Sequence, residues 1–323
     1  MQYTKLGRSG CRVSRLCLGT MHFGWLTDQE ESFRMMDRAL ELGYNFFDTA
    51  NVYGGPDNKG ATEAVVGRWL GQAGSRRERI VLATKFYGSM GSDPNQQPGV
   101  SAYKIKREVD DSLRRLQTDH IDLYQMHHID RTVHWEEIWG AYEDLIRAGK
   151  VIYAGSSNFA GWDIAHAQGF ARQRGFLGLV SEQHKYSLIC RSPELEVLPC
   201  CEALGVAVIP WSPIGGSKLG GHALDAAEGS RSFVEKDDIK TYRSQIESYY
   251  ALCRKIAQPP AVVALAWVLR HPAVTAPIIG PRTMDHLESA VKALKLKLDE
   301  KTVAQLEQIF PGPGGTAPQA YAW

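Results

Sequence analysis

Along the chain, short and nearly continuous apolar runs alternate with longer stretches in which apolar residues recur every three or four positions. Runs of the first kind, rich in β-branched and aromatic residues, read as buried strands, and those of the second as amphipathic helices. The pattern predicts strands at Leu16–Met21, Asn45–Ala50, Ile80–Phe86, Ile121–His127, Val151–Ser156, Leu179–Gln183, Val206–Trp211 and Thr275–Gly280. Helical periodicity between them is clearest over Glu30–Leu42, Ala102–Leu116, Trp135–Ala148 and Pro193–Ala203. Helices end in glycine in LELGYN and LIRAGKV, as expected just past a helix C-terminus. Continuous apolar strands joined by helices argue for a parallel sheet covered by helices. Eight such units argue for an α/β fold closed on itself, a (β/α)8 TIM barrel, with residues 1–323 forming one domain.

Three segments fall outside this repeat. Residues 3–14 suggest a small hairpin turning at Arg8-Ser9-Gly10, placed to plug the barrel bottom. Residues 214–240 form a Gly- and charge-rich insertion after the seventh strand, a natural lid. The end, PGPGGTAPQAYAW, is a Pro/Gly tail finished by aromatics. The competing fold, an open doubly wound sheet, predicts a Gly-rich dinucleotide fingerprint after the first strand. None occurs; that strand runs into GTMHFGW. A nicotinamide cofactor would have to be held in another way.

Composition narrows the function classes. Of 323 residues, 37 are Lys or Arg and 36 Asp or Glu, giving a formal net charge of +1. That balance gives no basic footprint for nucleic acid. The start, MQYTKLGRSG, lacks the apolar core of a signal peptide, and no apolar run approaches the roughly 20 residues needed to cross a bilayer. The six cysteines form no CxxC pair and read as reduced thiols of a cytoplasmic protein. The expected partner is a small molecule; a homo-oligomer is left open.

In a barrel, reactive groups gather where strands end and βα loops begin. The second strand ends at Asp48, with Tyr53 following in ANVYGG; the third ends ATKF with Lys85; the fourth ends DLYQMH with His127. Neighbouring strands lie about 4.8 Å apart, so these residues can surround one small pocket. The set suits carbonyl reduction, which requires hydride at carbon and a proton at oxygen. A free tyrosine, with a pKa of about 10, holds its proton too tightly for easy shuttling. A neighbouring ammonium favours the phenolate and is expected to lower that pKa. Lys85 supplies the ammonium, Asp48 anchors it, and His127 donates to the substrate oxygen. Taken singly, Asp48 reads equally well as a loop cap, Tyr53 as a loop aromatic and His127 as a satisfied rim histidine. Lys85 at the end of the apolar strand IVLATK is harder to dismiss, and the order Asp, Tyr, Lys, His on three consecutive strand ends is the specific signal. Strand alternation is expected to turn His127 inward and His128 to the opposite side. The two would then not face one metal ion, and no metal is expected.

Over essentially its whole length the chain resembles the aldo-keto reductase family, through KLGRSGCRVSRLCLGTM, NFFDTANVYGG, ATKF, RLQTDHIDLYQMHH, GKVIYAGSSNF, SEQHKYSLICR, VIPWSPIGG and PIIGPRT. The resemblance implies the barrel, a tetrad of Asp48, Tyr53, Lys85 and His127, and NADPH bound in an extended form without a Rossmann domain. It places the cofactor against Gly19, Thr20, Met21 and Asp48, with Ser157, Asn158 and Gln183 at the nicotinamide carboxamide. Trp211 would stack on the nicotinamide ring, and Ser212, Pro213, Ile214, Gly216 and Lys218 would wrap the pyrophosphate. Gly280, Arg282, Thr283 and His286 would receive the adenosine 2′-phosphate end. Here the chain departs from the family, which often has Gln, Glu and Asn where His286, Ser289 and Ala290 stand; that puts the adenine contacts in doubt. Trp25, Tyr53, Tyr87, His127 and His128 would line the substrate pocket. The tail, with GRWL, LATKFYGSMG and NFAGWDIAHAQ, resembles bacterial reductases of nucleotide-linked deoxysugar biosynthesis, which implies a keto-sugar. Alternatives are a general carbonyl reductase and a redox-sensing subunit of the channel β-subunit type, which shares the barrel. A carbon–carbon double-bond reductase is disfavoured, because that activity accompanies glutamate at the His127 position in steroid-acting members.

Overall fold

A computed structural model of the chain describes residues 1–72, 74–224 and 236–319. An antiparallel hairpin, β1 (Tyr3–Lys5) and β2 (Arg12–Ser14), precedes eight parallel strands. These are β3 (Cys17–Gly19), β4 (Phe46–Asp48), β5 (Val81–Phe86), β6 (Ile121–Met126), β7 (Val151–Ser157), β8 (Leu179–Lys185), β9 (Ala207–Trp211) and β10 (Ile278–Ile279). They pair in the order β10-β3-β4-β5-β6-β7-β8-β9. The ring closes just ahead of β10, where Thr275 N–H donates to Val208 O (2.8 Å) and Val208 N–H to Ala273 O (3.3 Å). The fold is the expected (β/α)8 barrel.

The helices are α1 (Gln29–Glu41), α2 (Ala61–Gly71), α3 (Ala102–Leu116), α4 (Trp135–Arg147), α5 (Gly161–Gln173), α6 (Val197–Leu204), α7 (Lys236–Lys255), α8 (Pro260–Leu269), α9 (Met284–Ala290) and α10 (Glu300–Ile309). Local chemistry sets their ends. Asp28, Ser101 and Asp299 cap α1, α3 and α10 by accepting from backbone N–H groups one turn in. The glycines expected past α1 and α4, Gly43 and Gly149, have φ of 87° and 73°.

The expected strands Leu16–Met21 and Asn45–Ala50 shorten to Cys17–Gly19 and Phe46–Asp48, and two elements differ further. The expected strand Thr275–Gly280 contracts to Ile278–Ile279, because Pro277 has no N–H to give the ladder and only accepts, from Cys17 N–H. The expected helix Pro193–Ala203 divides into a 3-10 turn at Ser192–Glu194 and α6. Glu196 (φ −144°) breaks it, and Arg191 holds Glu194 at 2.8 Å on the turn side.

The core has two shells. Between strands and helices lie outward residues such as Phe47, Leu82, Tyr124, Met126 and Val208. Inside the barrel floor lie Cys17, Phe46, Ala83, Leu123, Ala207, Ile209 and Ala276, covered from below by Leu6 and Val13 of the hairpin. The hairpin therefore plugs the barrel bottom, as its position in the sequence suggested. Arg8 N–H donates to Gly205 O at 2.8 Å, and Arg15 ties the closing edge by donating to Val274 O, Thr275 O and Leu269 O. No single helix among the described residues is long and apolar enough to cross a membrane.

At Gly7 the hairpin meets the floor most closely. Its φ is +57°, and a Cβ there would stand 2.5 Å from Val180 O and 2.7 Å from Gly205 O. At Gly10, a few residues on, a Cβ would meet nothing within 4 Å. Gly7→Ala is therefore expected to destabilise the protein by about 1–3 kcal/mol through overpacking and a disfavoured φ, and Gly10→Ala to leave it unchanged. Thermal unfolding midpoints of the two variants check this; equal midpoints would refute the docking.

Candidate active site

Strand register brings the candidate residues together. Asp48 pairs with Gly19 and Ala83 across the sheet, Lys85 with Gln125, and Gln183 with Ser157. Alternation turns Asp48, Lys85, Gln125 and Gln183 into the barrel above its apolar floor. Lys85 is fully buried and Asp48 is 3% exposed. The Lys85 Nζ donates to Asp48 Oδ2 at 2.5 Å and to Thr49 O at 2.7 Å. The other carboxylate oxygen, Asp48 Oδ1, accepts from Gln125 Nε2 (3.0 Å) and Gln183 Nε2 (2.9 Å). Burial works against the Lys85 charge, but Asp48 and Tyr53 outweigh it and hold the ammonium above its ordinary pKa. Gln125 was not singled out from the sequence. Its signal was a polar residue two positions after Leu123, on the inward side of the strand IDLYQM.

Tyr53 leaves the barrel rim on the turn after β4, its N–H donating to Ala50 O, and is half-buried. The Lys85 ammonium lies 5.1 Å from its ring centroid. Burial raises the Tyr53 pKa and Asp48 adds to that; Lys85 pulls it down by charge and hydrogen bond. The net direction is up, which corrects the expectation of a lowered pKa: desolvation of the phenolate outweighs the neighbouring ammonium. His127 follows β6, its N–H on Phe86 O (2.9 Å), with its ring edge-on to Tyr53 at 5.9 Å and 80°. Burial, Lys85 and His128 together push its pKa down to about 2, so the imidazole is neutral at physiological pH.

His128 does not face away. Its ring stacks on His127 at 5.3 Å and 11°, and Tyr87 meets it edge-on at 5.2 Å and 67°. Strand pairing ends at Met126, so the period-2 rule no longer governs residues 127 and 128. That rule cannot then be the reason a metal is disfavoured here. The in-plane lone pairs of two near-parallel stacked rings still do not converge on one point. Trp25 is exposed at the rim beside Gly55, where a Cβ would lie 3.0 Å from the indole.

The residues expected around a cofactor form an arc on the same face of the barrel. Asn158, at φ 61°, donates from Nδ2 to His127 O (3.1 Å) and Ser157 Oγ (3.0 Å), and its Oδ1 accepts from Trp211 Nε1 (3.0 Å). Thr20 donates through both N–H and Oγ1 to Asp48 O, and a Cβ on Gly19 would strike Ile278, 2.5 Å away. Met21 is exposed. After β9 the chain takes a left-handed course at Ser212, Gly215, Gly216 and Ser217 (φ 51°, 62°, 64° and 78°), with Pro213 and Lys218 buried and Ile214 half-buried. The Tyr250 hydroxyl fastens residues 218–223 to α7, accepting from Gly221 and Ala223 N–H and donating to Lys218 O. Residues 236–240 of the expected lid open helix α7, while residues 225–235 lie outside the described residues, as do Tyr321 and Trp323 of the tail.

Across the arc, Thr283 caps α9 by accepting from His286 N–H, and Arg282 N–H donates to His286 Nδ1 at 3.4 Å beside exposed Gly280. Burial and the Arg282 charge hold His22, in the loop after β3, down at about 4.

The profile of the Aldo/keto reductase family matches residues 15–310. The chain is 55% identical, over all of both chains, to the uncharacterized oxidoreductase YrpG of Bacillus subtilis. It is 31% identical to the versiconal hemiacetal acetate reductase of Aspergillus parasiticus over 96% of this chain and 97% of that one. It is 34% identical to norsolorinic acid reductase A of Aspergillus parasiticus over 94% of this chain and 79% of that one. A barrel with this strand-end constellation, matched by the family profile over nearly its full length, belongs to the aldo/keto reductase family of NAD(P)-dependent, carbonyl-reducing oxidoreductases.

Proposed function

We propose that the protein reduces the carbonyl of a polar substrate to an alcohol with NADPH, Tyr53 giving the proton. The observation that carries this reading is the buried Asp48–Lys85 pair set against Tyr53, with a neutral His127 edge-on to the phenol. Tyr53 donates its proton to the carbonyl oxygen as that oxygen gains negative charge. The Lys85 ammonium stabilises the phenolate left behind, which regains a proton from water. His127, a neutral donor, hydrogen-bonds the same oxygen and orients it.

The donor set fits a dinucleotide. Both N–H bonds of the Gln183 amide point to Asp48 and Gln125, which leaves its carbonyl oxygen for an amide N–H. Ser157, Asn158 and Gln183 would hold the nicotinamide, with Trp211 against its ring. The left-handed turn from Ser212 to Ser217 and Lys218 would receive the pyrophosphate, since successive backbone N–H groups in such turns suit anions. When bound, NADPH supplies the hydride. Arg282, with Gly280, Thr283 and His286, would read the 2′-phosphate through a guanidinium fork.

The substrate is proposed to be a keto-sugar, nucleotide-linked. Its support is the rim, where Trp25, Tyr87 and His128 offer aromatic faces and polar edges. The relatives named above carry reductase names that refer to no sugar.

Tyr53→Phe should lower kcat at least ~10²-fold, the usual minimum for loss of a positioned acid, with NADPH affinity unchanged. Lys85→Met should be comparably damaging. Lys85 pulls the tyrosine pKa down, so its loss raises that pKa further. Because reduction needs the protonated phenol, the basic limb of the pH–rate profile should move to higher pH. An unmoved limb in a residually active Lys85→Met enzyme would remove that role.

Arg282→Ala should cut the NADPH-over-NADH preference by about one to two decades, since a hydrogen bond to a charged group contributes roughly 1.5–3 kcal/mol. Dissociation constants for both cofactors test it, and equal losses would count against Arg282.

Among carbonyl compounds, a nucleotide-linked keto-sugar should show a higher kcat/KM than an apolar aldehyde such as hexanal. The reverse order would make this a general carbonyl reductase.

A further inference from the structure

The role proposed for His127 needs its ring held in one orientation, and hydrogen bonds do not hold it. The main chain is fixed on both sides, by Phe86 O at the N–H and by Asn158 Nδ2 at the carbonyl. Among the described residues, neither ring nitrogen of His127 has a hydrogen-bond partner in the protein. Rotation of an imidazole about its Cβ–Cγ bond is soft, with broad minima. A histidine that must aim one nitrogen is ordinarily fixed by a bond to the other. Here the restraint comes from ring faces.

We propose that His128 is a positioning residue for the reaction, its flat ring locking the His127 imidazole against Tyr53. His127 lies between two rings: Tyr53 edge-on at 80°, and His128 nearly parallel at 11° and 5.3 Å. Turning the His127 ring out of plane would drive it into the face of His128. Tyr87 in turn holds His128 edge-on at 5.2 Å, so the stack is anchored on the loop after β5. His127 is fixed relative to Tyr53, and both donors aim at one oxygen. Tyr53, His127, His128 and Tyr87 form a continuous row from the buried lysine to the exposed rim. The row matters for geometry, and proton conduction is not part of it, because stacked rings present no hydrogen bond to each other. Nor does His128 need to titrate: any flat ring at this position should do the same work.

This proposal rests on the reading of His127 as the orienting donor, so the experiment includes His127→Ala. His128→Ala, His128→Leu and His128→Phe are compared in the full-length enzyme with NADPH and 4-nitrobenzaldehyde as the carbonyl probe. Leucine fills volume without a flat face; phenylalanine restores the face without the nitrogens. The Ala and Leu variants should lose kcat, up to about 10²-fold as for a misplaced reacting group, by more than any change in KM, with NADPH affinity and thermal midpoint little changed. Phe should recover most of that loss. Should Ala fail to fold, the Leu and Phe pair decides. The proposal is overturned if Leu is as fast as wild type, if Phe is as slow as Leu, or if the loss falls on KM alone, which would make His128 a substrate contact only. A His127→Ala enzyme of undiminished kcat would instead overturn the role of His127.

Discussion

The buried ion pair between Lys85 and Asp48 is the constraint on which the mouth of the barrel depends. Two charges, 0% and 3% exposed, are held in an interior that penalises each of them. Removing one partner of such a pair typically costs about 3–5 kcal/mol, because the other is left buried and unpaired. The surroundings compensate with Thr49 O on the ammonium and the Gln125 and Gln183 amides on the carboxylate. Pair and partners together come from β4 and the residue after it, β5, β6 and β8. A slip of one residue in any of these strands would turn its polar group outward and leave the charges unmatched. The ion pair and the strand register therefore specify each other.

Burial acts on the neighbouring groups with opposite sign and the same result. It raises the Tyr53 pKa and lowers that of His127, in each case by penalising the charged form. Phenol and imidazole both remain neutral at physiological pH, and the ammonium is the cation beside them. A site of this kind keeps its protons at defined atoms, and under the function proposed above it would offer two neutral donors to an oxygen that becomes negative.

Outside the barrel, three further buried carboxylates carry the loops that carry the site. Glu63 of α2 accepts from Thr84 (2.5 Å) and Arg115 (2.7 Å), fastening α2 to β5 and α3. Glu108 of α3 accepts from Asn51 at 3.0 Å, two residues before Tyr53. Glu182 accepts from Ser156 at 2.5 Å and from Phe159 N–H at 3.0 Å, bracketing Ser157 and Asn158. Each carboxylate faces away from the barrel interior, and each bonds within two residues of one whose side chain faces in or reaches the mouth. These outward carboxylates, two on helices and one on β8, thus brace the barrel mouth through backbone, hydroxyl and amide groups without entering it.

The eight strands, the parallel barrel and the plugging hairpin were legible in the sequence because each depends on short-range pattern: apolar runs, helical periodicity and glycine at helix ends. Asp48, Lys85 and His127 were legible because a polar residue closing an apolar strand is conspicuous wherever the strand lies. Tertiary structure alone decided the rest, since it turned on groups distant in sequence. Gln125 acquires its role from a carboxylate 77 residues away. The net direction of the Tyr53 pKa depends on how burial and the Lys85 charge balance, and a sequence does not give burial at a loop residue. His128 joined His127 because strand pairing stops at Met126, beyond which alternation says nothing about where a side chain points. The pattern of the chain determined which residues could meet at the barrel mouth, and packing determined how they are charged and which way they face, because desolvation and ring contact exist only once the chain has closed.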